Sequence, residues 1–428
     1  MDHHASLRLW LETAKQQGMA LGLQNTHAAL IALNLPEPTF QTIHVAGSNG
    51  KGTAVACLCA ALTEVNVPCL AFTSPHLVRV EERVRLNGTP VDSDVFDNAL
   101  ATVRAMSETT DISLTFFEIT FLVAMVVAHA SSIEVLVLET GLGGRLDATR
   151  VAPANVCVIT SLSQEHTTVL GDTLEAISKE KAAIARPGAP LIVRHPMNPT
   201  VESAIADEAE NAGNPELNER KAPANLLWMR PEPHWTFIEE AQNLMGKVWP
   251  YLESVADLEY PEIETLQWPA RMQHLVSPSH DGLTYLLEGA HNPSGMLRSC
   301  AELPLHLQKM NRPWALLLGS TPQSDMKAML EPLASLCRVY PPQAVVLSVP
   351  EGGRYPGVSL DEMEVHAHDV GIEVTHRFVR PKEAIAAFER GHIVVGHVIS
   401  IGSLYMQGNV LEALGYDGDE YLRIGAKK

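Results

Sequence analysis

The sequence is short of cysteine pairs, basic residues and long apolar runs, and each shortage excludes a class of protein. Its six cysteines form no CxxC pair and no disulfide-framework spacing, so we expect reduced thiols and a cytoplasmic protein. Lysine and arginine number 31 against 50 acidic residues, and 31 − 50 gives a formal net charge of −19. We therefore expect no nucleic-acid partner, although a local basic site for phosphates stays compatible with this charge.

No stretch is apolar for long enough to cross a bilayer. The longest apolar run, around Phe121 to Ala128, falls far short of the ~20 residues that a span needs. The N-terminus lacks the basic and apolar regions of a signal peptide, so we expect neither a membrane partner nor a secreted precursor. Hydrophobic residues make up 46% and charged residues 19%, which is typical of a folded globular protein.

The chain is long enough for two or three domains, at roughly 100 to 200 residues each. Residues 41–46 predict a strand that runs into a glycine loop, and 54–65 predict a helix. Further β-branched runs lie at 68–73, 135–139, 156–160 and 191–193, mostly with helical segments between them. This alternation predicts an α/β fold with a mainly parallel sheet.

A second α/β series follows, with strands predicted at 283–288, 314–318, 344–349 and 392–401. We therefore predict a first domain over residues 1–277 and a smaller α/β domain over 278–428. The weakly patterned stretch 205–235 is interpreted as a helix end with an irregular connection, and a mobile surface loop is the alternative.

A glycine-rich loop connects the first predicted strand to the first predicted helix. Its sequence is Gly47-Ser48-Asn49-Gly50-Lys51-Gly52-Thr53. Glycines let backbone N–H groups approach an anion, a helix N-terminus favours negative charge, and a lysine reaches the outer phosphates of a nucleotide. The loop predicts a nucleotide phosphate site, although its glycines are not spaced as in GxxxxGK[ST]. A plain connecting turn is the alternative.

Further motifs follow this loop in a definite order. They are Thr73-Ser74-Pro75-His76-Leu77, Glu139-Thr140-Gly141-Leu142-Gly143-Gly144-Arg145-Leu146-Asp147-Ala148-Thr149, Glu165-His166, Lys179-Glu180-Lys181-Ala182-Ala183-Ile184, Glu288-Gly289-Ala290-His291-Asn292-Pro293 and Gly402-Ser403-Leu404-Tyr405. Together they resemble the Mur ligase superfamily and, within it, the dihydrofolate synthase/folylpolyglutamate synthases. The resemblance covers nearly the whole chain.

The resemblance implies a fold and an activity. It implies a P-loop ATPase domain of the Mur ligase type followed by a smaller Rossmann-like α/β domain. The implied reaction is ATP-dependent ligation of L-glutamate to 7,8-dihydropteroate, with γ-linked addition of glutamate to tetrahydrofolate as a second activity. The implied cofactors are ATP and one or two Mg²⁺ ions, without an organic cofactor, and we expect a monomer.

Metal and catalytic residues are carried over by the same resemblance. Glu139 ends a strand, where α/β ligand sites form, and it would hold Mg²⁺ with Ser74. His166 would bind a second ion beside Lys181, which resembles a lysine that the family carbamylates. Alone, Ser74 would be interpreted as a turn residue, His166 as an ordinary histidine and Lys181 as a helix-surface charge. The catalytic set expected is Lys51, Lys181, His166 and Arg271.

Contacts to the substrates also follow from the resemblance. For ATP they are Gly47, Asn49, Gly50, Lys51, Gly52, Thr53, Asn243, Arg271, Glu288, His291 and Asn292. For the pterin substrate they are Ala20, Leu21, Gly22, Leu23, Thr115, Phe116, Phe117, Glu118, Leu146, Asp147 and Ala148. Thr115 and Glu118 are also spaced as a helix capping box, and core packing is the alternative for the phenylalanines.

Several positions depart from the family pattern. Glu165 stands in place of aspartate, Arg150 in place of asparagine, Ala270 in place of glycine and Glu288 in place of aspartate, and the region between Arg186 and Asn243 is short. A diverged paralogue that binds nucleotide or folate without efficient ligation therefore stays open. A ligase acting on a nucleotide-linked sugar acid is disfavoured, because the residues before Gly47 leave no room for its extra N-terminal domain.

Overall fold

The structure, a computed structural model, describes residues 3–15, 18, 22–353 and 355–426. The chain divides into two compact units. The first comprises the described residues up to His76, Val80–Gln267 and those from Arg423 onward, and the second comprises Leu77–Arg79 and Trp268–Leu422. The predicted boundary after residue 277 falls later than this division, because strand Gln273–Val276 pairs within the second unit's sheet.

The first unit is built on an eight-stranded sheet. Its strands are β1 (Gln41–Ala46), β2 (Cys69–Phe72), β3 (Val84–Leu86), β4 (Thr89–Pro90), β5 (Val135–Glu139), β6 (Val156–Ile159), β7 (Pro190–Arg194) and β8 (Asn225–Met229). They lie in the order β4-β3-β2-β5-β1-β6-β7-β8. Neighbouring strands from β2 to β8 in this order are parallel, whereas β3 is antiparallel to both of its neighbours, β2 and β4. Strands β2, β5 and β6 are buried throughout, as expected for parallel strands covered on both faces.

Helices accompany this sheet within the described part of the first unit. They are α1 (His3–Ala14), α2 (Gln24–Ala32), α3 (Lys51–Glu64), α4 (Ser93–Thr110), α5 (Phe116–Ala130), α6 (Thr167–Leu170), α7 (Leu174–Ala182), α8 (Pro199–Glu210) and α9 (Phe237–Val248). A short strand, β9 (Leu266–Gln267), ends the unit's long segment. In the described ranges, no helix combines the length and the apolar character that a bilayer span requires.

The second unit has a six-stranded sheet. Its strands are β10 (Gln273–Val276), β11 (Thr284–Glu288), β12 (Trp314–Leu318), β13 (Ala344–Ser348), β14 (His376–Phe378) and β15 (His397–Ile401). They lie in the order β10-β11-β15-β12-β13-β14, and β10 alone in this sheet is antiparallel. Its helices, in the described residues, are α10 (Pro293–Leu307), α11 (Met326–Val339), α12 (Leu360–Asp369), α13 (Pro381–Glu389), α14 (Leu404–Leu414) and α15 (Asp419–Leu422). The last strand, β16 (Gly425–Ala426), belongs to the first unit and pairs with β9.

Each predicted strand overlaps an observed one, although the strand predicted over 392–401 begins only at His397. The short strands β3, β4, β9, β10, β14 and β16 were not predicted. The stretch 205–235 was interpreted as a helix end with an irregular connection. The helix end is confirmed by α8, but the connection also contains the edge strand β8. Exposed and half-buried residues alternate along most of β8, and its polar flanks resemble a loop. Edge strands bury less apolar surface than central strands, so their pattern is weak.

The Glu389 carboxylate offers a stability test within the second unit. Tyr285 OH and Ser277 Oγ each donate to it at 2.6 Å, and Ser279 Oγ also donates. Burial raises the pKa of Glu389, but these hydrogen bonds outweigh burial and hold the pKa below its ordinary 4.5. The charged form is therefore favoured by folding, and its stabilisation is lost as the pH falls through that lowered pKa.

We predict that Glu389→Gln lowers the melting temperature at pH 7 and that the loss is smaller near pH 3, because the stabilisation declines as the pH falls toward the lowered pKa of the wild-type carboxylate. The loss at pH 7 should correspond to about 1 to 3 kcal/mol. Thermal unfolding followed by calorimetry at both pH values measures it. Glu331→Gln, at an exposed helix-surface pair with Lys327, is the control that should change little. An equal loss at both pH values would contradict the assignment.

Candidate functional site

The glycine-rich loop forms the turn between β1 and α3. Gly50 precedes α3 in left-handed backbone geometry, with φ of 84°. Gly47 has no room for a side chain, because an added Cβ would lie 1.9 Å from Thr160 Oγ1. The first backbone amides of a helix lack intrahelical partners, which is the arrangement that binds phosphate. The geometry of the loop therefore fits the predicted nucleotide site.

Hydroxyl groups that follow β6 hold this loop in place. Thr160 Oγ1 and Ser161 Oγ donate to the Asn49 carbonyl at 2.8 and 3.0 Å. Ser48 Oγ donates to the Ser163 carbonyl at 3.1 Å and accepts from the Ser163 amide at 3.0 Å. The loop thus keeps its shape through contacts within the protein. Sequence analysis missed these residues, although the hydroxyl-rich run directly after a buried strand was a usable signal.

The two lysines of the expected catalytic set both donate to the Gly47 carbonyl. Lys51 Nζ donates to it at 3.0 Å and Lys181 Nζ at 2.9 Å. The Lys181 side chain is 1% exposed and forms a 2.8 Å ion pair with Glu165. Burial lowers the pKa of Lys181, although Glu165 opposes that shift. The glutamate that departs from the family pattern therefore has a defined partner.

Glu139 and Ser74 lie together at the carboxyl edge of the sheet. Glu139 ends β5 in register with Val45 of β1, and it is 5% exposed. The Ser74 amide donates to Glu139 Oε2 at 3.0 Å. Mg²⁺ that bridges nucleotide phosphates takes few protein ligands, and a carboxylate with a hydroxyl suits that role. These residues fit the ion predicted to accompany ATP.

His166 is placed differently. It is exposed, with φ of 47°, directly before α6. Within the part of the chain that the structure describes, no three His, Cys, Asp or Glu side chains are grouped as a metal site. His166 and Glu139 are thus not joined in a set of three protein ligands of these types. A second ion, with carbamylated Lys181 beside it, stays a prediction.

Thr115 and Glu118 form the capping box of α5. The Thr115 amide and Oγ1 donate to Glu118 Oε2 at 2.8 and 2.7 Å, and the Glu118 amide donates back to Thr115 Oγ1. Thr26 Oγ1 donates to the other carboxylate oxygen at 2.6 Å. The capping role is therefore present, and Glu118, which is 4% exposed, holds α2 against α5 as well.

The Phe117 ring supports the loop that follows β5. It is half buried and lies 5.6 Å from the Phe72 ring, centroid to centroid. An added Cβ on Gly141 would lie 2.6 Å from the Phe117 ring, so only glycine allows this close approach. Phe117 therefore belongs partly to the core and partly to the loop over Gly141.

The Phe116 ring lies among positively charged groups. The Arg83 guanidinium and Lys15 Nζ each lie 5.0 Å from its centroid, within cation–π range. Arg83 Nε donates to His76 Nδ1 at 3.0 Å. His76 stands in a motif that the sequence analysis used for recognition without assigning it a role. A half-buried aromatic face with nearby donors is a chemistry that suits a flat heterocycle.

The Asp147 carboxylate organises the same loop. Its Oδ2 accepts from the backbone amides of residues 141 and 142 at 2.8 Å each, and its Oδ1 accepts from the Thr149 amide at 3.0 Å and hydroxyl at 2.5 Å. Burial raises the pKa of Asp147, and these hydrogen bonds oppose that shift. Leu146 beside it is 36% exposed, whereas Ala148 is buried. Asp147 is thus already engaged by four donors of its own loop.

The predicted N-terminal substrate segment is only partly described. Ala20 and Leu21 lie outside the described residues. Gly22 has φ of 137°, and Leu23 is buried immediately before α2. Substrate contact by this segment stays a prediction.

Predicted ATP residues of the second unit cluster around Gly289. Glu288 Oε2 accepts from the Met272 amide at 3.0 Å, and Oε1 accepts from Ser299 Oγ at 3.1 Å. An added Cβ on Gly289 would lie 2.2 Å from Arg271 Nη1, so glycine leaves room for that guanidinium. Burial raises the pKa of Glu288, and Arg271 opposes that shift. Glu288, which stands where the family pattern has aspartate, therefore has hydrogen-bond donors for both carboxylate oxygens.

His291 and Asn292 complete this cluster. His291 Nδ1 lies 2.9 Å from the Gly289 carbonyl. Asn292 Oδ1 accepts from the Gly295 amide at 2.7 Å and caps α10. Asn243 belongs to the first unit, where it is exposed on α9 and its Nδ2 donates to its own helix.

Known proteins resemble this chain in sequence and in fold, although no profile of a known protein family matches it. The dihydrofolate synthase/folylpolyglutamate synthase of Escherichia coli is 38% identical over 209 residues, which are 49% of this chain and 48% of that protein. The dihydrofolate synthetase of Saccharomyces cerevisiae is 29% identical over 339 residues, 73% of this chain and 78% of that protein.

A solved structure extends the comparison over the whole fold. It is a bifunctional folylpolyglutamate synthase/dihydrofolate synthase with Mn, AMPPNP and L-glutamate bound, 25% identical, with a TM-score of 0.74 over 96% of this chain and 98% of that one. In sequence and in fold, this chain is therefore similar to the dihydrofolate synthase/folylpolyglutamate synthases. The predicted resemblance to these enzymes and the predicted fold class are confirmed. The alignment with the E. coli family member spans only about half of that enzyme.

We predict that Asp147→Ala destabilises the protein by about 2 to 4 kcal/mol, because four loop donors lose their shared acceptor in a buried site. Asp147→Asn keeps one of the two acceptor oxygens, so it should cost less than Asp147→Ala. Urea unfolding of both variants measures the difference. The exposed Asp172→Ala is the control. If both Asp147 variants were as stable as wild type, the loop would not depend on this carboxylate.

Proposed function

We propose that this chain ligates L-glutamate to 7,8-dihydropteroate at the expense of ATP, and extends tetrahydrofolate through γ-linked glutamate. The observation that carries the proposal is the placement of the glycine-rich loop beside Glu139 and Ser74 at one sheet edge. The names of its family relatives supply the substrate class. The AMPPNP, Mn and L-glutamate bound in the related structure agree with the proposed ATP, divalent metal and amino-acid substrate.

The proposed chemistry needs activation of a carboxylate. A carboxylate does not acylate an amine at neutral pH, because the oxygen that must leave is a very poor leaving group. Transfer of the γ-phosphoryl group of ATP to the carboxylate gives an acyl phosphate. The glutamate amine then attacks the carbonyl carbon, and the tetrahedral intermediate collapses to an amide with loss of phosphate. Exclusion of water from the acyl phosphate prevents its hydrolysis.

Residues of the first unit would serve the phosphoryl transfer. The amides at the start of α3 and Lys51 Nζ would bind the outer phosphates and offset their charge. Ser74 and Glu139 would hold Mg²⁺, which supplies further charge neutralisation when bound. The role expected for Arg271 at a phosphate stays a prediction.

The pterin would lie against the start of α5 and the loop that follows β5. The half-buried Phe116 face, the exposed Leu146 and the loop held by Asp147 support this placement. A cytoplasmic location, supported by six free thiols, stays part of the proposal.

Product formation tests this function directly. Wild-type protein is incubated with ATP, Mg²⁺, L-glutamate and dihydropteroate, and mass spectrometry follows dihydrofolate while a coupled assay follows ADP. Dihydrofolate formed in step with ADP supports the ligase. ATP hydrolysis without use of any pteroate or folate would instead favour a diverged paralogue.

Lys51→Ala should reduce turnover by about a hundredfold or more while leaving the fold intact. The loop backbone is held by the hydroxyls after β6, but the outer phosphates lose a counter-charge worth about 3 kcal/mol in the transition state. Steady-state kinetics and thermal unfolding measure the two effects. Near-normal turnover with unchanged ATP affinity would refute the phosphate role of this lysine.

Lys181 permits a test of carbamylation. Lys181→Arg keeps the charge beside Glu165 but removes the amine that reacts with CO2, whereas Lys181→Ala removes both. If the carbamate is required, both variants should lose activity, and excess bicarbonate should stimulate only the wild type. A short added carboxylate should partly restore Lys181→Ala. Full activity of Lys181→Arg would show that the cation alone is sufficient.

A further inference from the structure

Two buried arginines share one glutamate behind the loop of residues 141–149, here called the substrate loop. Arg150 Nη1 and Nη2 donate to Glu219 Oε1 and Oε2 at 2.9 and 2.5 Å, and the Arg150 side chain is 1% exposed. Arg186 Nε lies 3.4 Å from Glu219 Oε1. The two-point geometry orients the Arg150 guanidinium. Because two buried cations depend on one carboxylate, loss of that carboxylate would leave uncompensated charge.

The shared glutamate joins segments that are distant in sequence. Arg150 lies in the 3-10 turn Ala148–Val151, which overlaps the end of the substrate loop. Glu219 lies in the connection between α8 and β8, where its Oε2 also accepts from the Asn214 amide at 2.8 Å. Arg186 Nη2 donates to the carbonyls of residues 150 and 152 at 3.0 and 2.9 Å. The turn is therefore held through both its side chain and its backbone.

A chain of hydrogen bonds leads from this turn to the substrate loop. Thr149 is the residue before Arg150. Its hydroxyl oxygen lies 2.7 Å from His44 Nε2, and the hydroxyl donates to Asp147 Oδ1. Asp147 in turn holds the amides of residues 141 and 142. Gly141 contacts the Phe117 ring. A shift of the turn would therefore move the backbone that borders the proposed pterin site.

We propose that the Arg150–Glu219 pair positions the 141–149 loop for the pterin-bearing substrate, and this inference rests on the proposed function. Both members are positioning residues, since they act through the loop. Two departures from the family pattern meet in this pair: arginine stands where asparagine is usual, and Glu219 belongs to the stretch between 186 and 243 that is short. The pair ties this stretch to the loop.

Hydrogen exchange tests the positioning without any assay of activity. In Glu219→Gln, peptides that cover residues 141–149 should exchange about tenfold faster than in wild type, because the turn loses its charged anchor. Peptides that cover the glycine-rich loop, residues 47–53, should be unchanged. Glu364→Gln is the matched control, since it removes an exposed glutamate from a pair with Arg377 in the second unit.

Kinetics test the consequence for the substrate. Glu219→Gln should raise KM for dihydropteroate about tenfold and leave KM for ATP within about twofold of wild type, because displacement of a positioning loop weakens the substrate that it borders. Arg150→Lys keeps the charge balance but loses the two-point contact, so it should fold and show a smaller change in the same direction.

The outcomes separate this inference from the proposed function. If exchange over 141–149 is unchanged in both variants, or if both KM values rise together, the positioning role is wrong. Should Glu219→Gln fail to fold, Arg150→Lys decides the question by the same two measurements. If the wild type makes no dihydrofolate, the proposed function fails, and the exchange result still decides whether the pair holds the loop.

Discussion

The parallel pairing of β1 with β5 is the constraint on which the candidate site of the first unit depends. Their register sets Val45 opposite Glu139, so the glycine-rich loop and the carboxylate leave the sheet at the same edge. Ser74 joins them from the end of β2, and Thr160 from the end of β6. A slip of one residue would turn Glu139 to the other face of the sheet and separate the carboxylate from the loop.

Charged residues that depart from the family pattern are matched by local partners. Glu165 pairs with Lys181, Arg150 pairs with Glu219, and Glu288 accepts from backbone and hydroxyl donors. A buried charge without such partners would cost several kcal/mol. The departures are therefore accommodated in the fold, and the diverged-paralogue alternative gains no support from unsatisfied charge at these three positions.

Central strands were predictable because burial on both faces requires a continuous apolar run. Residues 135–139 and 314–318 were predicted at the bounds that the structure shows. The edge strand β8 was missed because it alternates exposed and half-buried residues between polar flanks. The pairing of Thr115 with Glu118 was predicted as a capping box, since that interaction depends only on residues three apart.

The sequence by itself determined the strand-loop-helix unit, the order of motifs and hence the family resemblance, because these depend on composition and on short-range spacing. It also placed Glu139 at a strand end. Only the tertiary structure decided that Asp147 is engaged by its own loop, that Lys181 meets Glu165, and that Arg150 meets Glu219. In the sequence, nothing distinguishes the donors and acceptors of these contacts from the many other polar groups of the chain. Their pairing depends on which backbone segments the packed sheet and helices bring within hydrogen-bonding distance, and no local pattern records that distance.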